Sequence, residues 1–158
     1  MNFFPTKKYE FNLIGQKEET LDRLKRRTDK SNYLTSQWTD KTFRGKITGN
    51  EFRIISSTIG KGAFCVLSGR IDSEYGIVNV EINKAFKILF GIIYLIPIVG
   101  IIMIIKLGGE KFEPLMILSI IGQMLMIRFI GIWFFFSRFS KHSLNQFRDV
   151  LDIEWIKN

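Results

Sequence analysis

A single cysteine, Cys65, and a single histidine, His142, are all the sequence offers of two residue types that commonly bind metals or attack substrates. One thiol excludes an intramolecular disulfide, and one thiol with one imidazole cannot build a Cys/His zinc site. A Ser-His-Asp or Cys-His arrangement would have to use His142, beside Arg138 and Lys141, where a solvated histidine is the expectation. Acids are the minority, 15 Asp and Glu against 23 Lys and Arg, for a formal charge of +8. The paired carboxylates Glu18/Glu19 and Asp72/Glu74 fall in a helix start and a turn, where solvated acids are expected. Ser57-Thr58-Ile59-Gly60-Lys61-Gly62 has the glycines and lysine of a phosphate loop but not its GxxxxGK(S/T) spacing, and a strand pattern follows it. No catalytic residue, metal site or cofactor is expected, and the chain is read as not an enzyme.

Apolar residues make up 46% of the chain, an ordinary share. Their distribution is not ordinary. Residues 1–87 are polar, with 16 Lys and Arg against 10 Asp and Glu, whereas residues 88–136 are almost wholly apolar. Ile88–Ile105 runs 18 residues without a charge, about 27 Å of helix against roughly 30 Å of hydrocarbon. Leu115–Phe136 gives another 22 residues, interrupted by Gln123 and Arg128. Its 13 Leu, Ile and Phe residues contribute roughly −4 to −8 kcal/mol to insertion, against about +2.5 to +3.5 for a central arginine. Two spans at 86–106 and 114–137 follow, joined by loop 107–113. Gly108-Gly109 permits the reversal and Pro114 suits the first turn of a helix. So short a loop makes the spans antiparallel and puts both ends of the chain on one side.

The opening residues lack a charged-then-apolar leader pattern, and the basic residues outside the spans outnumber those in the loop. Both point to a multi-pass protein of the cell (inner) membrane with cytoplasmic N and C termini. Trp133 and Phe134–Phe136 then form an aromatic belt at the inner interface.

The polar part, 1–85, reads as α+β. Tyr9–Ile14 alternates as a strand, and Gln16–Thr28 is a helix with acids first and Arg23, Lys25, Arg26 and Arg27 last, as the helix dipole favours. Ser31–Lys41 is a loop with Trp38 as its anchor. Thr42–Thr48 and Glu51–Ser57 form a hairpin across Gly49-Asn50. Ala63–Ile71 and Tyr75–Ile82 form another across Asp72-Ser73-Glu74, with Val78, Val80 and Ile82 on one face. Local connections imply a small antiparallel β-meander with flanking helices. The segment 138–158 carries Leu144, Phe147, Leu151 and Trp155 at helical spacing over Lys141–Trp155. This amphipathic C-terminal helix either packs on the 1–85 domain, the favoured reading, or lies in the membrane interface.

Three residues in the spans stand out. Arg128 and Tyr94 lie at similar depth on adjacent helices, and Pro97 frees the Ile93 carbonyl. Arg128 is expected either to pack on Tyr94 or donate to that carbonyl, or else to snorkel to the interface. Gln123 can hydrogen-bond between helices, with Ser119 and Gly122 allowing close approach. Arg23, Lys25, Arg26, Arg27 and Lys30 form the densest basic cluster, either a solvated helix face or a contact for anionic lipid. Aromatic interleaving is absent from it, so nucleic acid is not expected.

Phe43, Gly45, Ile47, Phe52 and Ile54 make an FxGxIxxxxFxI pattern of paired strands, followed by two spans and a short helix. In this the chain resembles a broad group of small bacterial two-span membrane proteins with an N-terminal α+β domain. The resemblance implies no catalytic residues. The leading reading of function is a non-enzymatic, membrane-anchored interaction or adaptor module, whose partners are the lipid bilayer and a protein bound by the cytoplasmic domain. An oligomeric small transporter or channel subunit, requiring homo-oligomers, is the alternative. An enzyme acting on lipid would need a nucleophile and base cluster that the sequence does not contain.

Overall fold

The structure is a computed structural model that describes residues 3–106 and 114–156. Two compact units appear: a sheet unit made of residues 1–83 and 136–158, and a helical unit over Lys84–Phe135.

In the sheet unit, β1 (Thr6–Leu13) leads to helix α1 (Lys17–Arg27) and the short β2 (Thr28–Lys30). Next come β3 (Phe43–Thr48), β4 (Glu51–Ser56), β5 (Cys65–Ile71) and β6 (Tyr75–Ile82). Gly49, at φ +58°, closes the β3–β4 turn in the left-handed conformation that glycine adopts without a Cβ penalty. Residues 62–64 wind one 3₁₀ turn before β5, so that strand starts two residues later than the alternation predicts. The four strands β3 to β6 do form an antiparallel meander.

The complete sheet is larger and mixed. Its order is β2-β3-β4-β5-β6-β1-β7, with β1 antiparallel beside β6 and β2 parallel to β3. The meander expectation is corrected in that respect. Phe43, Phe52, Ile54, Leu67, Val78, Val80 and Phe11 alternate onto one buried face, as a period of two requires.

Helix α4 (Phe135–Leu151) covers that face through Phe136, Ser140, Ser143, Leu144, Phe147 and Leu151. The Phe147 ring sits 5.2 Å from that of Phe52, 5.7 Å from Phe11 and 6.3 Å from Phe43, bridging three strands. The helical stripe predicted through Trp155 stops at Leu151. Asp152 takes φ +56° and its N–H bonds the Arg148 carbonyl, a left-handed helix stop. The chain then turns into β7 (Ile153–Trp155), which pairs with β1. Trp155 packs there against Tyr9 and Phe11. Trp38, expected to anchor its loop, is 87% exposed. The Asn83 side chain holds that loop instead, donating to the Leu34 carbonyl at 2.8 Å and the Ala63 carbonyl at 2.9 Å.

In the helical unit, α2 (Lys84–Lys106) is unbroken despite Pro97. Helix α3 (Pro114–Met126) continues into a π-helical segment, Ile127–Phe134, which replaces the uniform α-helix expected for the second span. Tyr94 meets Met124, and a Cβ on Gly131 would touch Phe90, so α2 and the second helix run antiparallel. The connecting loop 107–113 lies outside the described residues. Two helical stretches, Lys84–Met103 and Leu118–Leu151, are long and apolar enough to cross a membrane.

Candidate functional site

The polar residues of the two apolar helices come first. Tyr94 donates its hydroxyl to the Met124 carbonyl at 2.9 Å. A carbonyl oxygen has two lone pairs, so this bond can add to the helix ladder rather than compete with it. Tyr94 therefore makes a hydrogen bond across the two helices, to the Met124 backbone. Arg128 is half-buried within the π segment, and Gln123 is exposed. Replacing Tyr94 by Phe should lower the thermal stability of the detergent-solubilised hairpin by about 0.5–1.5 kcal/mol, the range for such bonds in apolar surroundings. An unchanged melting temperature would remove the role assigned to this bond.

The basic cluster of α1 is divided by its partners. Arg23 binds Glu19 at 2.7 Å and lies 3.7 Å from Asp152. The Glu19 hydrogen bond and charge, with Asp152, hold this guanidinium above its ordinary pKa. Lys25 is 3.5 Å from Asp22. Arg26, Arg27 and Lys30 are exposed. Two of the five cations thus belong to a neutralised helix face, and the other three stay open to solvent.

A second group of cations is assembled by the fold. Lys61, Arg138, Phe139, Lys141, His142 and Asn145 line a cleft of about 320 Å³. The Phe139 ring against Phe64, at 5.1 Å, draws the first turns of α4 to the loop that follows β4. Gln146 clamps the same loop, accepting from the Ser56 hydroxyl and donating to Thr58 at 3.2 Å. Arg138, Lys141 and His142 are neighbours in sequence, but Lys61 joins them only through these tertiary contacts.

The opposite face of the sheet is polar. Register aligns Lys46, Arg53, Ser68, Asn79 and Lys8 in one row across five strands. They help line an open groove of about 560 Å³. Arg53 lies 3.7 Å from Glu81, Arg70 3.1 Å from Asp72, and Lys8 3.0 Å from Glu10, so this surface is mixed in charge.

Cys65 is fully buried, and burial pushes its thiol up to about 12 from an ordinary 9.0. Because the folded-state value is the higher one, its contribution to stability is complete below about pH 9 and is lost as pH rises through about 12. Maleimide should label Cys65 on the order of 100-fold more slowly in the folded chain than in denaturant. Cys65→Ala should flatten the fall of stability above pH 9. Rapid labelling of the folded protein at neutral pH would contradict this placement.

Among the described residues, no group of three or more His, Cys, Asp or Glu side chains is arranged to hold a metal ion. No protein-family model, curated protein or solved structure matches the chain.

Proposed function

We propose that this chain is an integral two-span membrane protein that holds a non-enzymatic sheet domain at the bilayer surface as an interaction module. The observation that carries the reading is that the apolar side chains of both long helices are uncovered. None of the apolar window of α2 is buried, and almost none of the second. A core helix of a soluble protein would bury such residues, because water-exposed apolar patches beyond a few hundred Å² are disfavoured. Lipid provides the missing solvent. Apart from the Ile93 carbonyl opposite Pro97, the interior backbone groups of the spans are paired as helices, as hydrocarbon demands.

In this reading the protein lies in the cell (inner) membrane with both termini cytoplasmic, supported by the basic residues that flank the spans on that side. The edge strands β2 and β7 are three residues each. Lys7 and Lys8 lie on the part of β1 that β7 leaves unpaired, and short or lysine-bearing edges discourage strand addition. The broad polar face carrying Lys46, Arg53, Ser68 and Asn79 is therefore the surface offered to a protein partner.

Alkaline carbonate extraction followed by flotation tests the central claim. The full chain should float with membranes, and recovery as a compact monomer in the carbonate supernatant would refute it. The second reading, a pore made by several hairpins, is favoured by the π segment that carries Arg128, since π distortions concentrate at functional sites. Ion flux from liposomes containing the protein would favour the pore, and flux equal to empty vesicles the module.

A further inference from the structure

The strand register sorts the sheet unit's loops to two ends. At one end the Ile71 N–H bonds the Asn50 carbonyl and the Leu13 N–H bonds the Glu74 carbonyl, both at 3.0 Å. This gathers the turns at 13–16, 49–50 and 72–74. At the other, the Ser57 N–H bonds Thr42 and the Asn83 N–H bonds Phe64, both at 2.9 Å, gathering segments 31–42 and 57–64. The chain leaves the unit at Asn83 and re-enters it at Phe136. The Phe64 ring against Phe139 brings the re-entry to the same end as the exit.

Charge follows the same division. The turn end holds Glu18, Glu19, Glu51, Asp72, Glu74, Asp149, Asp152 and Glu154, with Lys17, Arg23, Arg70 and Arg148 as cations. Of these cations, Arg70 and Arg148 each lie 3.1 Å from an aspartate, and Arg23 lies 2.7 Å from Glu19. The exit end holds Lys41, Arg44, Lys61, Arg138 and Lys141 against Asp29, Asp40 and Glu81, and α1 brings Arg26 and Arg27 there where Thr28 pairs with Phe43. Its two most exposed aromatic residues are of the kind that sits at a membrane interface: Trp38 at 87% exposed and Tyr33 at 76%. An excess of cations at one end, with Trp38 and Tyr33 exposed there, and an excess of acids at the other is what a domain facing an anionic surface requires.

We propose that the cleft formed by Lys61, Arg138, Lys141, His142 and Asn145 binds the phosphate of an anionic lipid headgroup, with Trp38 and Tyr33 entering the same leaflet. The inference rests on the membrane reading. Arg138 and Lys141 lie three and six residues beyond Phe135 on α4, about 4.5 and 9 Å along the axis. Those two heights bracket the polar layer of roughly 5–8 Å outside the hydrocarbon. Among the described residues that line the cleft there is no carboxylate to compete with phosphate for the three cations and the amide.

The test uses the full chain in nanodiscs, with Trp133 and Trp155 changed to Phe so that Trp38 is the sole indole. Quenching by brominated lipid is compared between anionic and zwitterionic headgroups. Quenching should be stronger with the anionic lipid, and the preference should fall as salt rises. Lys61→Gln, Arg138→Gln and Lys141→Gln together should weaken that preference on the order of 100-fold, about fivefold per cation. Equal quenching by both lipids, or a preference untouched by the triple variant, would overturn the proposal. Abolition of the preference by millimolar inorganic phosphate would reassign the cleft to a free anion and overturn the lipid assignment. Failure of the parent chain to enter nanodiscs would instead refute the membrane reading, so the two failures are separable.

Discussion

Replacing Phe147 by alanine is expected to destabilise the sheet unit by about 3–5 kcal/mol, the cost of deleting a buried aromatic ring and leaving its cavity. Phe147 is fully buried. Its ring touches Phe43 on β3 and Phe52 on β4, which are neighbours, and Phe11 on β1, three places beyond β4 in the sheet order. Helix α4 thus contacts much of the sheet's width through one side chain. Such ring pairs add about 0.5–1.5 kcal/mol each beyond area burial. Against a total stability of roughly 5–15 kcal/mol for a domain, the loss is large. Denaturant titration in detergent, followed by the fluorescence of Trp155 against Phe11, measures it. Phe147→Leu keeps most of the volume and should cost roughly half as much. A loss below about 1 kcal/mol for alanine would mean that α4 is not what holds the sheet face closed.

The physical origin of each element explains which parts were legible in the sequence. Strands β3 to β6 announce themselves because alternation and turn residues act locally: Val78, Val80 and Ile82 face one way, and Gly49 supplies the reversal. The helix α1 is equally local, with acids before bases along its length. What escaped was non-local or too short to show a period. Strands β2 and β7 have three residues each, and their pairing with β3 and β1 is decided by where the sheet leaves open edges. Trp155 fits a helical stripe with Leu144, Phe147 and Leu151 until Asp152 adopts a left-handed conformation, which nothing in its neighbours foretells.

The candidate site divides in the same way. Arg138, Lys141 and His142 are adjacent in sequence, and their position beside the second apolar run was readable. Lys61 reaches them through Phe64 against Phe139 and through Gln146, contacts that span some 80 residues. The excess of acids at one end of the sheet and of bases at the other becomes visible only when the strand register is known. Composition alone gives a net charge and not its direction.

Changing Ile92 and Ile96 together to arginine gives opposite results according to the solvent around α2. Both are exposed, at 56% and 62%, and lie one turn apart on the same side of the helix. In water these are ordinary surface positions, where substitution costs within about 0.5 kcal/mol and added charge improves solubility. In lipid, each central arginine costs about 2.5–3.5 kcal/mol and each lost isoleucine a further 0.3–0.6, a total of roughly 6–8 kcal/mol. The 13 Ile, Leu, Phe and Val residues of Ile88–Ile105 supply about −4 to −8 kcal/mol on the same scale. The double variant should therefore bring insertion close to balance, and much of the protein should leave the membrane fraction on carbonate extraction or be degraded. Ile92→Leu with Ile96→Leu, which keeps the hydrocarbon content, should behave as the parent. A double-arginine variant as membrane-bound and as abundant as the parent would show that this helix never had to dissolve in lipid.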